Sequence, residues 1–262
     1  PISTAVIAHD NHIFFGTDRS KLVSVNKGQV VDDCFYLARE KLSASPIFNS
    51  NRFVFASHDG YVYGMTPENG WVNLQSWKRQ TFGPIRADVT AYSRWVFAGS
   101  TDYNLYCIEG VDGRVFWSFA AEGPIEDPPV VFRYRPNQEY VYCIAKNNPL
   151  ATTREKRTLF AIPLPKGRYV TKGTHAWRRE KVLRVVTMGK ETLYVLNDTG
   201  AGGQKTISGL DVKTGREKFK IAVDGFHFVP VNSADAGRDA SQRGKIYLIS
   251  TNGSIQVIGE KP

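Results

Sequence analysis

Four polar residues occupy matching positions in four different parts of this sequence and could together bind a ligand. Arg86 and Glu126 each follow a Gly-Pro-Ile tripeptide, and the matching positions elsewhere in the chain hold Ser3 and His227. A group of arginine, glutamate and histidine side chains can bind a small anion or the terminus of a peptide. The alternative is a water-filled channel in which these charges satisfy one another.

No other group of residues has the spacing that catalysis or metal binding requires. The histidines are spread along the chain, at His9, His12, His58, His175 and His227. They form no metal-ligand pattern, and the sequence has neither a Gly-x-Ser-x-Gly elbow nor a Cys–His nucleophile pattern. We therefore predict no catalytic residue and no metal site, and we expect the histidines to be surface residues or hydrogen-bonded polar residues.

The cysteines and the charged residues also argue against several functions. Cys34, Cys107 and Cys143 are too few and too far apart for a disulfide framework, and we expect buried free thiols. The formal net charge is +9, but the densest basic groups, 154–157 and 178–181, are interrupted by glutamate. We interpret them as a solvated basic surface and predict no nucleic-acid partner. No apolar stretch approaches the roughly 18 residues of a membrane span.

The sequence contains a repeat that would position the polar residues. Each copy is an apolar strand, a short polar turn and an alternating strand. Four copies are compact: 12–25, 52–65, 94–108 and 245–258. Two copies, 140–162 and 193–212, carry long insertions in the turn. We count six repeats, which begin near Pro1, Ser43, Ile85, Ile125, Lys181 and Phe226.

The first five repeats continue with a glycine turn and then a strand that bears a bulky aromatic residue. The glycines are Gly28, Gly70, Gly113, Gly167 and Gly215, and the aromatic residues are Phe35, Trp77, Trp117, Trp177 and Phe219. Glycine suits such turns because it accepts positive φ. An aromatic residue at a fixed place in these five repeats indicates packing between neighbouring repeats. Four short strands per repeat of about 42 residues are typical of a β-propeller blade.

We therefore predict an all-β fold: a six-bladed β-propeller of four-stranded antiparallel blades, in one domain over residues 1–262. Pro1-Ile2 aligns with Pro84-Ile85 and Pro124-Ile125, which lie inside a repeat. The last repeat stops after its hairpin, so we expect the last blade to be one strand short. We also expect residues before Pro1 in the natural protein to complete it, because an unpaired strand edge invites wrong pairing.

The repeat resembles the quinoprotein, or PQQ-like, β-propeller repeat. The segment Val96–Trp117 is similar to a near-complete copy, and Leu210–Phe219 is similar to its second half, with phenylalanine in place of tryptophan. Members of this bacterial family include quinone-dependent dehydrogenases and non-enzymatic scaffolds. The dehydrogenases usually have eight blades, adjacent cysteines and an acidic calcium site. This sequence has six repeats, no adjacent cysteines and no assignable calcium cluster.

The resemblance thus implies a non-catalytic binding scaffold with no cofactor. A small-molecule or PQQ-binding protein, or a degenerate dehydrogenase, is the alternative, because the fold hosts many functions. A protein or peptide partner would contact loops on one face, especially the insertions at 147–158 and 197–206, or the mouth of the channel. The resemblance also implies a periplasmic or secreted location.

Overall fold

The computed structural model of the protein describes residues 1–26, 35–68, 71–136, 138–146, 157–164, 172–198, 204–223, 226, 229 and 244–259. Their regular structure consists of antiparallel β-strands. Within these ranges there is no helix long and apolar enough to cross a membrane. The strands belong to two compact units, which are residues 1–129 with 167–173, and residues 130–166 with 174–262.

The first unit contains three four-stranded sheets. The first sheet has β1 (Ile7–His9), β2 (His12–Gly16), β3 (Lys21–Asn26) and β4 (Phe35–Leu37). The second has β5 (Ile47–Asn49), β6 (Arg52–Ala56), β7 (Tyr61–Glu68) and β8 (Trp71–Gln80). The third has β9 (Thr90–Tyr92), β10 (Trp95–Gly99), β11 (Asn104–Glu109) and β12 (Val115–Ala120).

The second unit contains two four-stranded sheets and one two-stranded sheet. The fourth sheet has β13 (Val130–Arg135), β14 (Gln138–Lys146), β15 (Arg157–Pro163) and β16 (Trp177–Glu180). The fifth has β17 (Val182–Met188), β18 (Thr192–Asp198), β19 (Lys205–Asp211) and β20 (Glu217–Ala222). The sixth has β21 (Ile246–Ile249) and β22 (Ile255–Ile258).

These sheets are the predicted blades. Strand order follows chain order in each of them, as expected for a propeller made of hairpins. The all-β class and the six blades are confirmed, and two described strands in the sixth sheet agree with a short last blade. That residues before Pro1 complete this sheet stays a prediction, as does the single domain over 1–262.

Neighbouring sheets of a unit bury their apolar faces against each other. In the first unit, Phe14 of the first sheet stacks against Phe53 of the second with ring centroids 3.8 Å apart. Val54 and Val96 belong to a second cluster, between the second and third sheets. The second unit has equivalent clusters between its fourth and fifth sheets and between its fifth and sixth. Burial of these side chains supplies the main stabilisation of each unit.

The repeated tryptophans lie on the fourth strands of the second, third and fourth sheets, which follow the glycine turns. Trp77, Trp117 and Trp177 are buried, whereas Phe219 has the same register in β20 but is 39% exposed. Their cross-strand partners are all small residues: Gly64, Cys107, Ala161 and Gly209. A Cβ atom on Gly64 would lie 2.1 Å from Cε2 of Trp77. The small partner is therefore required because the aromatic ring lies across it.

Phe35 is not the first-sheet counterpart of these tryptophans. It pairs with Val23 and precedes Ala38 by three residues, whereas Trp77 precedes Thr81 by four. Ala38 and Thr81 are equivalent because their backbone N–H groups make the same turn hydrogen bond. The prediction for Phe35 was wrong by one position. Such a shift turns a side chain to the other face of the sheet.

Two of the predicted turn glycines are among the described residues, and both need the left-handed conformation. Gly113 has φ +69° and Gly215 has φ +68°. A Cβ atom on Gly113 would also lie 2.5 Å from Cδ2 of Trp77. The tryptophan of one sheet thus packs on the glycine turn of the next. The other three glycines, Gly28, Gly70 and Gly167, lie outside the described residues.

Candidate binding site

The structure brings together two of the four predicted site residues. Nη1 of Arg86 donates to Oε1 of Glu126 over 2.7 Å. Ser3 makes a different hydrogen bond: its hydroxyl donates to the backbone carbonyl of Leu42. His227 lies outside the described residues. Arg86 and Glu126 therefore form an ion pair in the segments that lead into the third and fourth sheets. That the four residues form one binding site stays a prediction.

Ser43 and His58 also belong to this site, although their residue types and spacing did not predict it. Oγ of Ser43 lies 2.7 Å from Nε2 of His58 and 3.2 Å from the carbonyl oxygen of Arg86, to which it donates. Because the hydroxyl hydrogen points to that carbonyl, the serine oxygen can accept a hydrogen bond from Nε2–H. Ser43 follows the buried Leu42 as Arg86 follows the buried Ile85. This pair of an apolar and a polar residue was the sequence signal that could have identified Ser43. Leu42-Ser43, however, is not preceded by the Gly-Pro that precedes Ile85-Arg86.

His58 lies in an electropositive setting. Burial lowers its pKa below the ordinary histidine value, and the charges of Arg86 and Lys41 lower it further. Glu40 and Asp59 act in the opposite direction but do not compensate. His58 is therefore a neutral imidazole at neutral pH.

A second row of contacts links the same leading segments. The backbone N–H of Ser45 donates to Oδ1 of Asp88 over 2.6 Å, and that of Ala5 donates to Oγ of Ser45 over 3.1 Å. These bonds run from the first sheet to the second and from the second to the third. They link the segments that precede β1, β5 and β9, so the backbone around Arg86 is held by hydrogen bonds.

Asp102 fixes an exposed aromatic residue beside this site. Its Oδ2 accepts the backbone N–H of Phe82 over 2.7 Å and the hydroxyl of Tyr106 over 2.6 Å. Asp59 makes the same two kinds of bond one sheet earlier. The side chain of Phe82 is nevertheless 87% exposed, and the neighbouring Tyr103 is 37% exposed. The backbone of Phe82 is thus held while its ring faces solvent.

We call this region the turn surface. It comprises residues 38–42, 57–60, 81–86, 100–103 and 121–126. Its turns bond to one another: the N–H of Thr81 donates to Gly60, and that of Ala121 donates to Tyr103. Of the two predicted insertion loops, residues 147–156 and 199–203 lie outside the described residues.

The described residues at this site do not fit a calcium–quinone centre. Glu126 is paired with Arg86, and Asp88 accepts a backbone N–H. No group of three or more His, Cys, Asp or Glu side chains among the described residues is arranged to hold a metal ion. Cys107 and Cys143 are separate buried thiols rather than an adjacent pair. The chemistry available here is binding through charge, hydrogen bonds and an aromatic ring.

Comparisons with known proteins bear on the family and the fold of the chain. The sequence matches the family described as outer membrane protein assembly factor BamB over residues 2–119 and 58–258. A search of curated proteins found no match.

Solved structures with the same fold share little sequence with this chain. BamB from Moraxella catarrhalis is 15% identical, with a TM-score of 0.51, over 99% of this chain and 83% of that one. The WD40 β-propeller domain of Doa1 is 14% identical, with a TM-score of 0.55, over 99% and 82%. A chain of the mitotic checkpoint complex is 6% identical, with a TM-score of 0.60, over 96% and 72%. At these identities the likeness establishes the β-propeller fold alone.

Proposed function

The chain belongs to the BamB family of outer membrane protein assembly factors, and from that membership we propose that it is a non-catalytic β-propeller that binds a protein partner. The partner docks on the turn surface, with Phe82 as its anchor. The observation that carries this proposal is the exposure of Phe82 on a backbone held by Asp102. Family membership also supports a periplasmic or secreted location.

Phe82 has the properties of a binding anchor. Transfer of a fully exposed phenylalanine into an apolar pocket yields about 1.5–3 kcal/mol. The backbone of Phe82 is already ordered, so binding need not freeze a flexible loop. Aromatic residues of this kind carry much of the energy of protein interfaces.

Exposed charged residues around Phe82 would form the polar rim of the interface. Arg39 and Glu122 occupy the equivalent position in the neighbouring turns, and both are exposed. Lys41 and Arg86 are exposed nearby. An apolar centre with a charged periphery is the usual arrangement of a transient protein interface. These turns carry charges of both signs, which favours a protein partner over nucleic acid.

Site-specific photocrosslinking tests the docking surface. A photoreactive phenylalanine analogue is placed at position 82 and, as a matched control, at Val111, which is 52% exposed in a turn outside the turn surface. After irradiation in the native host, we expect a discrete protein adduct at position 82 that is absent at position 111. No adduct at position 82, or identical adducts at both positions, would contradict the proposal.

The enzymatic alternative has its own test. We expect no dye-linked oxidation of alcohols or sugars after reconstitution of the purified chain with PQQ and calcium. A membrane-free quinoprotein dehydrogenase assayed in parallel controls for cofactor quality. Turnover that depends on both PQQ and calcium would make the chain an oxidoreductase and would overturn the non-catalytic assignment.

A further inference from the structure

The polar site beside Phe82 indicates what the partner presents. Resting on the proposed function, we propose that Arg86 and His58 bind a carboxylate of the partner polypeptide. The carboxylate belongs either to an Asp or Glu side chain or to the chain terminus. These two sources have the same chemistry and are separated by the experiment below.

Arg86 supplies the principal donor. A guanidinium carries five N–H donors in a planar fork, and only Nη1 of Arg86 hydrogen-bonds to a side chain of the described residues, that of Glu126. The arginine side chain is 53% exposed, whereas that of Glu126 is 15% exposed. Glu126 thus lies behind the guanidinium and orients it. The remaining edge of the fork is free to take a carboxylate in the two-bond geometry that arginine favours.

His58 supplies a second donor whose charge depends on the ligand. Ser43 fixes the ring through Nε2, and the charged groups around it are Arg86, Lys41, Glu40 and Asp59. A bound carboxylate adds negative charge to this electropositive setting and favours the protonated imidazole. Binding and proton uptake are therefore linked, and each strengthens the other. Carboxylate binding should tighten as the pH falls below 7, while Asp and Glu side chains remain ionised.

Short peptides on the purified chain test the proposal directly. The probes are acetyl-Gly-Phe-Gly-Gly with a free terminus, acetyl-Gly-Phe-Gly-Glu-amide, and acetyl-Gly-Phe-Gly-Gln-amide as the carboxylate-free control. Affinity is measured by calorimetry and the pKa of His58 by NMR titration of its ring protons. We expect one or both carboxylate probes to bind more tightly than the control and to raise the pKa of His58. Which probe binds identifies the source of the carboxylate.

Variants separate charge recognition from general surface effects. Arg86→Gln should weaken the carboxylate probe about tenfold or more, as expected for loss of a charge-assisted hydrogen bond, and should leave the amide control unchanged. Arg114→Gln is the matched control, since that side chain is 74% exposed and pairs with Asp112. Arg86→Lys keeps the charge opposite Glu126 but loses the fork, so it should weaken binding while retaining the fold.

Three results would overturn the proposal. They are equal affinity for all three peptides, equal weakening by Arg114→Gln, and a pKa of His58 that does not respond to the carboxylate probes in the unmodified chain. The last measurement needs no variant and does not depend on the folding of Arg86→Gln. A crosslink at position 82 without carboxylate dependence would refute this inference alone, whereas absence of the crosslink would refute the proposed docking.

Discussion

The indole N–H of Trp77 donates to the backbone carbonyl of Gly110, 3.1 Å away in the next sheet. Trp177 repeats this contact in the second unit, where its N–H donates to Val212 over 2.8 Å. Trp117 differs, because its buried N–H has no acceptor among the described residues. The same residue type at the same repeat position thus makes a hydrogen bond to the next sheet in two cases, Trp77 and Trp177, and leaves its buried N–H unpaired among the described residues in the third.

This difference predicts unequal costs for one substitution. Trp77→Phe and Trp117→Phe both remove part of a buried ring, but only the first leaves a buried carbonyl without its donor. We expect Trp77→Phe to lower the free energy of unfolding by about 1–3 kcal/mol more than Trp117→Phe, the usual cost of an unsatisfied buried group. Urea denaturation followed by circular dichroism measures both. Equal losses would mean that the hydrogen bond contributes nothing.

The contact of Trp77 with Gly113 predicts a second pair of outcomes. Gly113→Ala should be more destabilising than Gly253→Ala. Both glycines have positive φ, so each substitution carries a backbone cost of about 1–2 kcal/mol. Only the methyl group added at position 113 would clash with the Trp77 indole. A Cβ atom added at position 253 would have no heavy atom within 4 Å. Thermal melts should show an additional loss of about 1–3 kcal/mol at 113. A loss at 253 that matches it would exclude the steric explanation.

Much of the fold could be predicted from the sequence because its signal is periodic. Turn glycines, tryptophans and hairpins recur at one spacing, so an error in one repeat is corrected by the others. Phe35 shows where this fails. Phe35 has the residue type that the pattern requires, but it lies one position away from the equivalent of Trp77. Its pairing with Val23 therefore places it on the other face of the sheet. Register depends on turn hydrogen bonds, which composition does not reveal.

The site was less predictable because its residues differ from repeat to repeat. Arg86 and Glu126 were found through the shared Gly-Pro-Ile, and the structure pairs them. His58 was missed because its partner Ser43 is distant in sequence and carries no catalytic pattern. Phe82 was missed because an aromatic residue in an all-β chain is expected to pack inside. Whether the Phe82 side chain is exposed depends on the folded chain, and no periodic pattern in the sequence reports it.

The buried cysteines yield a prediction about thiol reactivity. Burial raises the pKa of the Cys107 and Cys143 thiols, so little thiolate is present at pH 8. Cys34 lies outside the described residues and is removed by Cys34→Ser. We expect this variant to be unreactive toward Ellman's reagent when native and to release two equivalents of chromophore in guanidinium chloride. Rapid native labelling of either thiol would show that its sheet opens or that its burial is incomplete.

His58 predicts a specific loss of stability in mild acid. Its pKa in the folded chain is lowered by burial and by Arg86 and Lys41, whereas in the unfolded chain it is near the ordinary value of about 6.5. Above that pH both states are neutral at this position and stability is unaffected. As the pH falls below it, the unfolded chain takes up the proton first, so the folded state loses stability until the folded pKa is passed.

His58→Gln removes this group, so its denaturation midpoint should fall less than that of the unmodified chain between about pH 7 and pH 5. His12→Gln is the control for replacement of a histidine elsewhere in the chain. Parallel curves for the unmodified chain and His58→Gln would show that His58 titrates alike in both states, and they would also remove the proton linkage expected for carboxylate binding.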